Sequence, residues 1–152
     1  MHKRCFHMSF DIKIVNNTPL TGEKDPEVVA KIFFEQIGYL SKGTDPGIPY
    51  TIFADYFIKH PKKAWFVEEL ATKLKTSKPT IYRHLNKLKG LDILEEVQIF
   101  DEHTQQQKKA YRLRYGNLKK AWNFVEAHIK VAVENYSKTV EHLQNIMEEP
   151  EE

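Results

Sequence analysis

Between Leu70 and Leu91 this chain carries six Lys or Arg residues and no Asp or Glu, and these cations surround a narrow apolar stripe. Ile81, Leu85 and Leu88 recur at the spacing of a helix with one buried side. Ser77 fits the N-cap of that helix. Pro79 is tolerated in the first turn because the amide it lacks has no intrahelical partner there. Gly90 is expected to supply left-handed geometry at the far end. Just upstream, Val67–Lys75 reads as a second short helix that turns Leu70, Ala71 and Leu74 inward, with Ala71 small enough for the helices to cross closely. The stretch Val67–Glu96 is thereby constrained to two short helices and a tight turn. One face packs, and the other carries Lys73, Lys75, Lys78, Arg83, Lys87 and Lys89. A helix pair of this design can set its second helix into the major groove of DNA.

The flanking sequence extends this unit. Ile93–Phe100 and Lys109–Tyr115 are rich in β-branched and aromatic residues, and the polar segment Asp101–Lys108 lies between them. Together they predict a β-hairpin with a polar tip, which makes the whole a winged helix. On the N-terminal side, Asp25 and Pro26 are a good helix start. Val29, Ile32, Phe33, Ile37 and Leu40 follow on one face, and a turn-rich loop spans Gly43–Pro49. A further helix is expected over Tyr50–Lys59, and Ala64–Phe66 is short enough for a one-bridge strand. Phe6, Met8, Phe10, Ile12 and Ile14 alternate with mostly polar residues and suggest a strand in an N-terminal arm.

The last third reads as one helix. Leu118, Trp122, Val125, Ile129, Ala132, Tyr136, Thr139, Leu143 and Ile146 follow a coiled-coil pattern, and Val133, Val140 and Met147 widen the stripe. At ~1.5 Å per residue this helix spans about 48 Å, more than one small body covers. A second copy of the chain is the economical cover for the excess; the alternative is a helix folded back on its own domain. The expected organisation is mainly α with a small β-hairpin wing. Residues 1–24 form an arm, 25–116 a winged helix-turn-helix DNA-binding domain with an extra N-terminal helix, and 117–152 a C-terminal dimerisation helix with an acidic tail.

Composition excludes several classes. The net charge of +2 conceals a local concentration of cations, because the chain closes on the acidic run Glu148–Glu152. One cysteine, Cys5, cannot form an intramolecular disulfide and fits a reducing cytoplasm. No apolar run approaches the ~20 residues of a membrane span, and no signal-peptide core follows the basic N-terminus. A glycine-rich phosphate loop and a nucleophile–base arrangement are both missing, so catalysis is not expected.

Val67–Glu96, the hairpin, and the segment KAYRLRYGNLKKAWNF resemble the winged helix-turn-helix transcriptional regulators of prokaryotes, especially archaeal ArsR-type and PadR-type proteins. Glu69, Leu70, Ala71, Leu74, Ser77, Thr80, Ile81, Arg83, His84, Leu85 and Leu88 stand at the places of that pattern, and the likeness covers about residues 50–143. The chain departs from it in the turn, where Lys75-Thr76 replaces a glycine and an apolar residue, and in a wing richer in glutamine. The resemblance implies double-stranded DNA as a partner, a homodimer, and a recognition helix at about 77–89. Arg83 is the expected reader of a guanine edge, because its planar fork matches two acceptors. Ser77, Thr80, Tyr82 and Asn86 are candidates for base or phosphate contact. Lys73, Lys75, Lys78 and Lys87 would neutralise phosphates. Gln105, Gln106, Gln107, Lys108 and Lys109, in a wing at about 101–109, would reach flanking DNA. His84 lies nearer the buried stripe and is expected to pack. The dimer contact is assigned to Trp122, Val125, Ile129, Ala132, Val133, Tyr136, Val140, Leu143 and Ile146.

Other ligands find less support. The first helix of the pair lacks the paired cysteines of metal-sensing ArsR-type proteins. Glu126, His128, Glu141 and His142 are too spread along the last helix, with the two histidines roughly 21 Å apart. His2, Cys5 and His7 form only a loose cluster, so no metal or other cofactor is assigned. Phe33, Phe34, Tyr56, Trp65, Trp122 and Phe124 are read as core in preference to the lining of a small-molecule effector pocket. The competing function is a winged helix used as a protein-interaction module in a multi-subunit assembly, since fold alone does not fix function. Such modules place acids or apolar groups where this chain places Lys, Arg, Asn and Gln.

Overall fold

The structure, a computed structural model, describes residues 22–41 and 47–150. The expected strand over Phe6–Ile14 and the His2, Cys5 and His7 cluster lie outside the described residues. Helix α1 (Pro26–Gln36) starts as its sequence dictates, with the Asp25 side chain accepting from the Glu27 amide at 3.0 Å. It ends before Leu40, because Gly38 takes φ 75° and folds the chain back. The Tyr39 and Leu40 amides then donate to the Phe34 carbonyl at 2.8 and 3.2 Å. This closure makes Phe34 the wholly buried residue of α1, whereas Val29 and Ile32 stay half-buried.

Helix α2 (Gly47–Thr51) begins earlier than expected and continues as a π-helical segment over Ile52–Ile58. The widened turns bring Ile52, Phe53 and Phe57 into the core. Strand β1 (Trp65–Phe66) leads directly into α3 (Val67–Lys73), which buries Val67, Leu70 and Ala71. Helix α4 (Lys78–Gly90) buries Ile81, Leu85 and Leu88 completely. Each of those side chains contributes ~1.5–3 kcal/mol by leaving water.

Gly90 does not terminate α4 as expected. It remains helical, and Asp92 adopts the left-handed conformation at φ 60°. The Asp92 amide donates to Lys89 O at 2.9 Å, and the Ile93 amide donates to Leu88 O at 3.2 Å. That is the two-bond closure that ends many helices, and burial of Ile93 behind it offsets the strain of a non-glycine residue.

Strands β2 (Leu94–Asp101) and β3 (Gln106–Leu113) form an antiparallel hairpin, and β1 pairs with the other edge of β3. In register, Leu94 faces Leu113 and Asp101 faces Gln106, while Trp65 faces Tyr111. A short 3-10 turn, Arg114–Gly116, then delivers the chain into α5 (Leu118–Glu148). Asn117 caps α5 by accepting from the Lys120 amide at 3.0 Å. Near its start α5 packs Ala121 and Val125 into the core, and every residue from Val133 to Pro150 is exposed. The fold is thus mostly helical, with a small three-stranded antiparallel sheet and a long C-terminal helix.

Candidate nucleic-acid interface

The turn before α4 sets its direction. Lys75 sits at φ 51°, its amide donates to Thr72 O, and the Thr76 amide donates to Ala71 O at 3.0 Å. Ser77 is the N-cap: its Oγ accepts from the Thr80 amide at 3.3 Å and lies 2.9 Å from Thr80 Oγ1. The hydroxyls of Ser77 and Thr80 are therefore engaged with each other at the helix start.

With Ile81, Leu85 and Leu88 pointing inward, Lys78, Tyr82, Arg83, Asn86 and Lys87 are left exposed on α4. Among the described residues Arg83, Lys75 and Lys87 have no acidic partner within ion-pair distance. Lys78 is only loosely engaged, 3.8 Å from Glu68. Lys73 lies on the Trp65 ring, with its Nζ 5.1 Å from the centroid.

Lys89 and Lys109 are held differently. Glu96, on β2, lies 2.6 Å from Lys89 Nζ and 3.3 Å from Lys109 Nζ, and so joins the end of α4 to the wing. The hydrogen bond from Lys89 chiefly holds its carboxyl below the usual range; burial opposes, and Lys109 adds to the lowering. This carboxylate clasp has no helical spacing and crosses between elements, so periodicity did not reveal it.

The wing differs from expectation at its tip. Pairing continues to Asp101 and resumes at Gln106, so the tip is the four residues Glu102–Gln105, with Gln105 at φ 57°. Gln106, Gln107 and Lys108 join Lys109 on β3 rather than lying in a loop. Lys108 pairs with Asp101 at 3.0 Å, and the tip itself carries Glu102. The cross-strand ladder extends further than residue type suggested, and the Lys108–Asp101 ion pair joins its two strands beside the tip.

His84 packs, as expected. Its Nδ1 lies 3.1 Å from the hydroxyl of Tyr39, which is 5% exposed. Burial lowers the His84 pKa below the usual histidine range, and the charges of Arg83 and Lys87 lower it further. Burial raises the Tyr39 phenol well above its ordinary value, with Arg83 opposing. Tyr39 was absent from the expected site residues. The aromatic following Gly38 at a helix end was the available signal.

The residues assigned to a dimer contact separate into two groups. Val125 is 1% exposed within its own chain, and Trp122 and Ile129 are partly buried against the same core. Val125 is thereby closed to a partner copy, because the body reaches further along α5 than the repeat alone indicates. Ala132 is half-buried at the boundary. Val133, Tyr136, Val140, Leu143 and Ile146 are exposed. Among the described residues no group of three or more His, Cys, Asp or Glu side chains is arranged to hold a metal ion. No helix among them is long and apolar enough to cross a membrane.

Comparison with known proteins bears on the centre of this interface. No curated protein matches the chain. One solved structure, described as a possible transcriptional regulator from Methanosarcina mazei Go1, aligns with a TM-score of 0.48 at 14% identity, covering 74% of this chain and 87% of that one. Residues 53–97 match the family described as a helix-turn-helix domain. That span runs from the π-helical segment through α3 and α4 into the first strand of the wing, so this chain contains a helix-turn-helix domain.

Proposed function

We propose that this chain is a sequence-specific, double-stranded-DNA-binding transcriptional regulator that acts as a homodimer, on the ArsR-type or PadR-type plan. The observation that carries this reading is the outward face of α4. There Arg83 and Lys87 are exposed beside Tyr82 and Asn86, and among the described residues no carboxylate lies within ion-pair distance of them. A guanidinium so presented can donate two bonds to a guanine edge, while Lys75, Lys78 and Lys87 screen phosphates. The wing has a smaller part. Its lysines are already paired with Asp101 and Glu96, and its tip is acidic at Glu102. Dimerisation is supported by the exposed stripe Val133, Tyr136, Val140, Leu143 and Ile146, which extends about 20 Å along α5.

Retardation of random duplex DNA across a salt series tests the reading. The chain should shift the duplex at low salt, with affinity falling steeply as salt rises. Arg83→Ala combined with Lys87→Ala should weaken binding by about tenfold or more, with unchanged melting. No retardation even at low salt would reject DNA binding and favour the interaction module.

A further inference from the structure

The turn that joins the wing to α5 holds an aromatic ring outward under backbone strain. Tyr115 adopts φ 57°, in the left-handed region, directly before Gly116 at φ 62°. That conformation is unfavourable for a residue with a Cβ. At Asp92 burial of Ile93 offsets the same strain, whereas Tyr115 is itself 57% exposed. Little of the strain at Tyr115 is therefore returned by leaving water.

The ring rests on a braced support. It meets Phe124 of α5 at 5.9 Å and 74°. A T-shaped contact occupies at most one face of a ring, so a face of Tyr115 stays open. Phe124 is held in turn, with the Arg114 guanidinium 4.6 Å from its centroid and the His128 ring at 4.4 Å. Arg114 is itself tied down, donating to Asp92 O at 2.8 Å and lying 3.9 Å from Glu95. Tyr115 and Phe124 line an open hollow of about 590 Å³ together with Lys120 and Asn123.

Lysines flank this hollow. Lys119 precedes Lys120 on the first turn of α5, and Lys62 lies against the turn itself, its Cγ 3.4 Å from where a Cβ on Gly116 would stand. All three lysines are exposed, and among the described residues none has an acidic partner within ion-pair distance. An open ring beside unpaired cations suits an unstacked base with phosphates on either side of it. Asn123 adds a donor and an acceptor for the edge of that base. A duplex cannot use the ring, because its bases are already stacked on one another.

We propose that Tyr115 and the lysines beside it form a second nucleic-acid site, which takes a single strand by stacking one base on Tyr115 and setting flanking phosphates on Lys62, Lys119 and Lys120. The site draws on none of the α4 residues and does not rest on the duplex-binding reading. Fluorescence anisotropy of a labelled oligothymidylate, an unstructured strand, tests it on the full chain. Binding should saturate at low salt and weaken as salt rises. Tyr115→Ala should weaken it by about tenfold and Tyr115→Phe should retain it, with melting curves showing that both variants fold. Lys62→Ala combined with Lys120→Ala should weaken it and flatten its salt dependence. Duplex retardation should be unchanged by Tyr115→Ala.

Binding that does not saturate, or that survives Tyr115→Ala, overturns the site. Equal loss in Tyr115→Phe would trace the effect to the hydroxyl and overturn the stacking. Displacement by thymidine monophosphate as effective as by the unlabelled strand would assign the hollow to a free nucleotide and overturn the strand. Loss of duplex retardation in Tyr115→Ala would overturn the separation of the two sites. Strand binding by a chain that retards no duplex supports the site and rejects the duplex-binding reading.

Discussion

Helices α4 and α5 are both amphipathic, yet they show opposite chemistry to solvent. The inner side of α4 is fully used by Ile81, Leu85 and Leu88, and its outer side is polar and cationic. Helix α5 uses its inner side only as far as Ile129. Beyond that point Tyr136 and Leu143, at seven-residue steps from Ile129, continue the same face into water. A polar cationic face is stable in water until a polyanion displaces its counterions. A contiguous apolar face gains by leaving water, and suits an apolar partner. The buried side of each helix shows how it is anchored. The exposed side indicates what kind of partner it suits.

The comparison can be broken most forcefully at its anchors. Leu85→Ala should destabilise the fold by ~2–5 kcal/mol, since Leu85 is wholly buried and its removal leaves a void. Chemical denaturation would measure the loss, and a loss below about 1 kcal/mol would contradict the packing of α4. On α5, Leu143→Asp should leave the melting of the body intact while converting a dimer to a monomer in sedimentation. Unchanged mass on that substitution would remove the stripe from the contact.

Two smaller effects sharpen the account of α4. Lys75→Gly should stabilise the chain by up to about 1 kcal/mol, because glycine relieves the strain at φ 51° although it also frees the unfolded chain. A destabilised variant would mean that the Lys75 side chain contributes more than its backbone strain costs. For His84 the sign follows from its depressed pKa. The unfolded chain takes up the proton first, near the usual value of 6.5, so the stability due to neutral His84 is complete above that pH. It declines as pH falls towards the lower folded value, and then levels. His84→Gln should flatten this part of the profile of denaturation midpoint against pH, whereas parallel profiles would show that His84 does not contribute.

Much of this was legible in the residues. Four-and-three spacing found the inner face of α4, Ser77 and Asp25 marked helix starts, and β-branched runs located the wing. What escaped depended on backbone closure. Gly90 looked like the stop of α4, but the left-handed residue must sit where the closing amides and a buried apolar neighbour coincide, and Ile93 places it at Asp92. A non-glycine residue there costs only about 1 kcal/mol, too little for residue type to reveal the position. The repeat in α5 likewise could not tell whether its own body or a second copy covers Val125. Tyr39 escaped because its role is fixed by folding back at Gly38, which no period encodes.

Glu96 has a consequence for discrimination between sites. Lys89, Lys109 and Glu96 together carry one net positive charge where the two lysines alone would carry two. On a DNA-binding reading, one carboxylate lowers the attraction that every duplex shares and leaves Arg83 untouched. Selectivity is the ratio of specific to sequence-blind binding, and genomic competitors make that ratio the quantity that matters. An acid set between two lysines would therefore raise fidelity by subtraction, at the joint of α4 and the wing, without contacting a base.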